Sequence, residues 1–503
     1  MLIESPMKKS LTVHWNGIIL PLLLFLVFFV GMAVIQFATP DMPDNDGFYH
    51  IKFASLMRTE GLKPDFPWLP LSILNESEFY DHHFLFHVAL IPFTFGDLRL
   101  GAKWAAVVFA SLSFLAIWYL LNKQRIPLSL LWALALLGIS EAFLYRMSIT
   151  RAQSLSLGVL ALGLAWLLDG KHLHLAVLSF LYVWLYDAFP LLPILGLLHM
   201  FAILVVERRF EYHPLLFIGI GILFGLLINP YFPKNIIFSY RHMLPKLVDT
   251  TLVRVGNEWY PYDTGQLLEN SFPTLLIFAS GIFALGATDR KMDVRTATLL
   301  FAVLFFGLML FKARRFIEYF PPFVLIFSAF AWAPLFPEPK PGAQATSWFT
   351  LPARITMILG VFVLISSVTT IASAKESLQG SKPYETYQGA ATWLQKNTAK
   401  GTRVFQTDWD DFPRLFFYNT HNTYLVGLDP TYMQLYDSGL YDLWVMITRG
   451  EVEQPSQFIA NQFHSQYIHS DLNHGNFLQK AEQDSGLREV YRDEQAVLFE
   501  VVR

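Results

Sequence analysis

The sequence predicts an α-helical polytopic membrane protein that carries a small α/β domain at its C-terminal end. Three observations predict this class. Apolar side chains make up 54% of the 503 residues and charged ones only 15%, against about 25% charged in soluble domains. Up to about residue 375 the apolar residues fall into long runs divided by short polar loops, and runs of about 20 residues are what a bilayer requires. Beyond that point charge rises and the long runs stop.

The chain offers about eleven candidate spans by the length rule: 17–38, 98–121, 126–145, 153–169, 172–189, 191–206, 214–230, 273–288, 296–312, 316–335 and 353–373. The first follows Lys8 and Lys9 and resembles a signal peptide. It is longer than an h-region of about 7–15 residues, so it reads as an uncleaved span. The segment 84–96 is apolar but short, which suits a re-entrant or interfacial helix.

Loop charge gives the orientation. Lys8/Lys9, Lys123/Arg125, Lys171, Arg208/Arg209, Arg290/Lys291/Arg295 and Lys340/Arg354 fall on one side, which the positive-inside rule makes cytoplasmic. The N-terminus is then cytoplasmic in a cell inner (cytoplasmic) membrane. Residues 1–375 form the polytopic domain, with a large first external loop at 39–97 and a second at 231–272. Residues 376–503 form an extracytoplasmic α/β domain. Its expected strands are Arg403–Gln406, Gln466–His469 and Ala496–Val502, with helices at Tyr387–Lys396 and Gly475–Ser485. Pro337–Gly342 reads as a turn-rich linker.

The chemistry expected of the chain gathers on the external side. Asp44-Asn45-Asp46-Gly47-Phe48-Tyr49-His50 sits where the chain leaves its first span. Two hard carboxylates one residue apart suit Mg²⁺ or Mn²⁺; the same residues can also cap a helix or lie solvated in a loop. Asp81 and His82, in Tyr80-Asp81-His82-His83, are further candidate metal ligands, or a polar pocket wall. Arg146 and Arg151 flank an external turn, placed either to snorkel or to meet a phosphate. Glu269 precedes a span. Arg314 and Arg315 form a basic turn on the side where basic turns are disfavoured. Their guanidinium forks match phosphate oxygens, and an i, i+3 or i+4 pair with Glu318 is the alternative. Trp409 and Asp410, in Thr407-Asp408-Trp409-Asp410-Asp411, follow a strand and offer an acceptor-binding edge or a capped acidic loop.

Several classes are excluded. A net charge of −3 leaves no footprint for nucleic acid. With no cysteine there are no disulfides, thiolate nucleophiles or Cys-type zinc sites. There is no G-x-S-x-G, P-loop or H-E-x-x-H.

These features resemble the GT-C glycosyltransferases, and within them the catalytic subunit of oligosaccharyltransferase in its archaeal and bacterial forms. Asp44–His50 looks like that family's first-loop acidic motif. Gln266-Leu267-Leu268-Glu269-Asn270 is similar to its external-loop glutamate motif, and Arg314–Tyr319 to its late arginine segment. Thr407–Asp411 stands in the place of its Trp-Trp-Asp-Tyr-Gly sequence without reproducing it. Tyr145–Gln153, where the family has a second acidic motif, contains no acid.

The resemblance implies a glycosyltransferase. It would move a sugar or oligosaccharide from a polyprenyl-phosphate-type lipid donor to a glycan, lipid or protein acceptor on the extracytoplasmic face. Asp46 and Asp44 would be catalytic and would hold a divalent cation with Asp81 and His82. Arg314, Arg315, Glu269, His50, Arg146, Arg151, Trp409 and Asp410 would bind substrate. Besides donor and acceptor, the partners are membrane lipids. The alternative is a non-catalytic membrane protein that binds or transports a lipid-linked glycan.

Overall fold

A computed structural model describes residues 12–243, 256–336 and 351–502. Lys8, Lys9, Lys340, the Pro337–Gly342 linker and part of the 231–272 loop lie outside the described residues.

The expected apolar runs are helical. They form Thr12–Gln36, Leu98–Lys123, Ser129–Leu134 with Glu141–Met147, Gln153–Leu168, His172–Leu185, Leu191–Glu207, His213–Leu227, Thr264–Gly286, Val294–Lys312, Phe320–Trp332 and Leu351–Gln379. By length and composition, five of the described helices can cross a membrane, or six if the pair bent by 89° across Ser129–Gly138 and Glu141–Met147 is one span. The remaining apolar helices are shorter, at 10–17 residues. By this measure five or six of the expected spans qualify, and the others are helices shorter than it requires. Turns and bends cut into runs that are continuous in hydropathy. One such bend lies in Thr264–Gly286, where the backbone leaves the helical region at Ser271, two residues before Pro273. Proline removes a helix donor and clashes with the preceding turn.

The segment after the first helix is pinned rather than loose. Lys103, fully buried near the start of Leu98–Lys123, donates to the carbonyls of Thr39 at 2.6 Å and Asp41 at 2.7 Å. A buried ammonium requires such partners, and in finding them it fixes the chain just before Asp44. The helix Asp46–Glu60 follows, then the short helix Phe84–Leu90 and a 3₁₀ turn at Ile91–Phe93.

The C-terminal part holds a five-stranded sheet: β1 Arg403–Gln406, β2 Thr423–Tyr424, β3 Tyr467–Asp471, β4 Leu487–Arg492 and β5 Ala496–Val501, in the order β2-β1-β3-β5-β4. β1 runs parallel to β2 and β3, whereas β5 is antiparallel to β3 and β4. Helices Gln388–Asn397 and Gly475–Gln483 accompany it. The strand residues Phe405, Ile468 and Phe499 fill a core together with Phe477 of helix Gly475–Gln483.

A second core joins this sheet to the helical part. Tyr49 and Phe53 of helix Asp46–Glu60 and Phe66 and Trp68 of the following loop pack with Phe412, Phe416 and Tyr424. The Trp68 and Phe416 ring centroids are 4.9 Å apart. Each phenylalanine buried this way contributes about 1.5–3 kcal/mol. The backbone is stitched as well, with Tyr424 N donating to Trp68 O at 2.8 Å and Ile73 N to Tyr432 O at 3.0 Å. The first loop is therefore the floor on which the sheet unit rests, and the acidic motif lies at the edge of that floor.

Candidate active site

Asp44 and Asp46 are held by local structure. Asp44 accepts from the backbone N–H of Asp46 at 3.0 Å, the turn geometry a short acid favours before a helix. Tyr145 donates to Pro43 O at 2.7 Å. A Cβ on Gly47 would lie 2.6 Å from Met42 Cε and 3.4 Å from Thr150 Cβ. Glycine thus lets the start of the helix sit against the turn that carries Arg151. Asn45, between the acids, donates to the Asp410 carboxylate at 2.6 Å and accepts from Arg414 Nε at 2.6 Å. That pair of bonds ties the motif to the sheet unit.

The acids open into a cavity of about 750 Å³. Arg151 stands beside them. Its Nη2 is 2.8 Å from Asp46 Oδ2, and its Nη1 is 3.4 Å from Asp44 Oδ2 and 3.1 Å from Glu258 Oε2. Arg146 Nη2 meets Glu258 at 2.9 Å, and its Nε donates to Glu318 at 2.6 Å. Arg315 Nη1 lies 3.4 Å from Glu258 Oε1, Nη2 donates to the Tyr186 hydroxyl at 2.8 Å, and the guanidinium stacks over the Trp259 ring at 4.3 Å. Carboxylates and guanidiniums from four stretches of chain so form one network.

Burial pushes the Asp46 carboxyl up to about 7; the Arg151 charge opposes the rise and the Asp44 and Glu258 charges add to it. An acid poised there can exchange a proton near neutral pH. Burial also pushes Glu258 up, but Arg151, Arg315 and Arg146 outweigh it and hold that carboxyl well below the usual range. Glu258 is accordingly held as an anion by the arginines gathered around it.

The structure departs from the sequence expectations at Glu269, Arg314, Asp81 and Glu318. Glu269 is solvent-exposed on helix Thr264–Gly286, ahead of the bend, and does not line the cavity; the glutamate of that loop that does is Glu258. Arg314 turns away. Its backbone N–H and Nη2 donate to the carbonyls of Tyr260 and Pro261 at 2.9 and 3.0 Å, so only Arg315 of the basic turn reaches the cavity. Asp81 is spent on His87, whose Nδ1 lies 2.8 Å from Asp81 Oδ2, and His87 Nε2 is 2.8 Å from Nδ1 of the cavity residue His50. His82 does line the cavity, stacked on Phe238 with 5.2 Å between centroids. Trp409 and Asp410 line the cavity on the side of the sheet unit. Glu318 pairs with Arg146 instead of the neighbouring basic turn.

No protein-family model and no curated protein matches this sequence. Solved structures do match. The Archaeoglobus fulgidus oligosaccharyltransferase in its apo form aligns with a TM-score of 0.65 at 14% identity, over 94% of this chain and 72% of that one. ArnT from Cupriavidus metallidurans bound to undecaprenyl phosphate aligns with a TM-score of 0.58 at 14% identity, over 96% of this chain and 98% of that one. The mycobacterial arabinofuranosyltransferase AftD aligns at 0.53 and 13% identity, over 95% of this chain and 40% of its own length. The chain has the GT-C fold.

Within this GT-C cavity the expected Mg²⁺ or Mn²⁺ can be tested against the side chains present. A hard cation needs several oxygens converging on one point at about 2.0–2.6 Å. Here the oxygens of Asp44, Asp46 and Glu258 converge on the nitrogens of Arg151 at hydrogen-bond distances. Among the described residues, no group of three or more His, Asp or Glu side chains is arranged to hold a metal ion. The set Asp44, Asp46, Asp81 and His82 does not come together, and the site does not fit a divalent cation.

Proposed function

We propose that this chain is a membrane glycosyltransferase of the GT-C type. It moves a sugar or oligosaccharide from a polyprenyl-phosphate-type donor to an acceptor on the extracytoplasmic face. The observation that carries the reading is the convergence of Asp44 and Asp46 with Arg146, Arg151 and Arg315 in one cavity. Neighbours of the same fold have been solved with dolichol-phosphate or undecaprenyl phosphate bound, which supports a lipid phosphate as the ligand of the arginines.

The chemistry needs two things from the protein. The acceptor heteroatom attacks the anomeric carbon, and the bond from that carbon to the phosphate oxygen breaks. The bonding electron pair leaves with the lipid phosphate, whose charge must be stabilised. Arg315, held by Tyr186 and Trp259 at the cavity wall, is suited to that task. The acceptor's proton must also leave. Asp46, raised toward neutrality by burial, is suited to take it. A single displacement of this kind inverts the anomeric carbon. Trp409 and Asp410, which line the cavity on the side of the sheet unit, are suited to face the acceptor.

The test is Asp46→Asn in a reconstituted assay with a polyprenyl-phosphate sugar. Loss of a general base lowers transfer by about 10²–10⁴-fold. Binding of polyprenyl phosphate should persist. Full transfer activity in the variant would overturn the assignment.

A further inference from the structure

We propose that Arg151 is a built-in counter-cation for the carboxylate cluster, so that this chain transfers sugar without a divalent metal ion. The proposal rests on the glycosyltransferase reading above. It starts from what the guanidinium touches. Asp44 and Asp46 come from the first loop and Glu258 from the loop before Thr264–Gly286, and all three turn carboxylate oxygens to the same side chain. A guanidinium offers five N–H donors in one plane and carries its charge at every accessible pH. It can satisfy three acids at once at the spot where an ion would otherwise be needed.

The backbone under Arg151 is built to hold it there. Its N–H donates to Ile149 O at 2.9 Å, and the preceding Thr150 hydroxyl donates to Ala102 O at 2.8 Å. Gly47 brings the acidic helix start against this same turn. The side chain is 15% exposed, so the charge is fixed within the wall and does not sweep through solvent. Arg146 and Arg315 share Glu258 with it. A divalent ion entering the cluster would lose its hydration, which Mg²⁺ gives up reluctantly. It would also face three guanidiniums within one network, in a setting where like charges are poorly screened.

Arg151 acts through the acids, so it is a positioning residue. It holds the carboxylates of Asp44 and Glu258 in place and aims the Asp46 carboxylate into the cavity while leaving one of its oxygens for the acceptor's proton. In a metal-dependent site the ion would do this.

The experiment uses the full chain purified in detergent or nanodiscs, with Mn²⁺ as the probe. Two readouts run in parallel: Mn²⁺ binding by electron paramagnetic resonance, and transfer with and without EDTA. Wild-type protein is expected to bind no Mn²⁺ at the cluster and to lose no activity in EDTA. Arg151→Asp removes the guanidinium and adds an acid, and is expected to gain Mn²⁺ binding that Asp44→Asn abolishes. Arg151→Ala should cut transfer by about 10²-fold, as misplaced catalytic groups do. Arg151→Lys, which keeps the charge but not the fork, should restore part of that loss. Mn²⁺ binding by the wild type that Asp44→Asn removes would overturn the proposal, as would activity lost in EDTA and regained with Mg²⁺ or Mn²⁺. A wild type that shows no transfer under any condition would count against the glycosyltransferase reading, and the Mn²⁺ measurement on wild type would still decide the role of Arg151. That measurement also stands if Arg151→Asp fails to fold.

Discussion

Two adjacent arginines with the same sequence credentials have different fates. Arg314 is consumed by the carbonyls of Tyr260 and Pro261, whereas Arg315 points at Glu258 and Tyr186 across the cavity. Charge-assisted bonds to a phosphate contribute about 1.5–3 kcal/mol each. Arg315→Ala is therefore expected to weaken binding of a polyprenyl-phosphate analogue by about tenfold or more. Arg314→Ala should leave that affinity unchanged. A titration in which Arg314→Ala causes the larger loss would reverse the assignment. The same contrast separates Glu258 from Glu269. Glu258 lies in the stretch before helix Thr264–Gly286 and Glu269 within that helix; the motif likeness points to Glu269, which the helix leaves facing solvent. Nothing in the local pattern around Glu258 marks it; its neighbours Asn257 and Trp259 form a single 3₁₀ turn. Its role comes from three arginines distant in sequence. By contrast Asp44 and Asp46 were legible, since paired acids at the mouth of an apolar span are costly without a purpose.

The apolar runs translated directly into helices, because a chain without water to bond its backbone must satisfy it internally. Where those helices stop was less legible. Runs of one hydropathy hide breaks such as the bend at Ser271 and the 89° angle between Ser129–Gly138 and Glu141–Met147. The short apolar segment at 84–96 became the helix Phe84–Leu90 and its 3₁₀ end, clamped by close packing. A Cβ built on Gly101 would lie 1.8 Å from the carbonyl oxygen of Phe93. That oxygen belongs to the backbone and has no rotamer to escape into. Gly101→Ala is expected to push this segment off helix Leu98–Lys123, at a cost of about 1–3 kcal/mol typical of overpacking. A lowered thermal unfolding midpoint in detergent would register it; an unchanged midpoint would mean that the contact is not rigid.

At the scale of the molecule, the acidic motif, the basic turn and the sheet unit meet at one end of the helical part. The opposite end carries basic side chains such as Lys123, paired with Asp169 at 2.7 Å, and Arg209. We propose, from the positive-inside rule, that this end faces the cytoplasm. The chain has no cysteine, so single substitutions can report sidedness without background. Lys400→Cys, exposed on the sheet unit, is expected to react with an impermeant maleimide from the extracytoplasmic side of intact cells. Arg209→Cys should react only after permeabilisation. The reverse pattern would turn the molecule over and with it the face on which transfer is proposed.

The sequence by itself determined the helical membrane part, the strands of the C-terminal unit and the place of the acidic stretch Asp44–His50 just after the first apolar helix. Those features are written in hydropathy, in β-branched clusters and in the cost of placing charge beside a bilayer, all of which are local. Tertiary structure alone decided which charges share a cavity. It chose Glu258 over Glu269 and Arg315 over Arg314, joined Asn45 to Asp410 and Arg414, and set Arg151 among the acids where a metal ion was expected. Such choices depend on how loops far apart in sequence fold back over one another. An ionic network is stable only as a set, so no one member announces its partners.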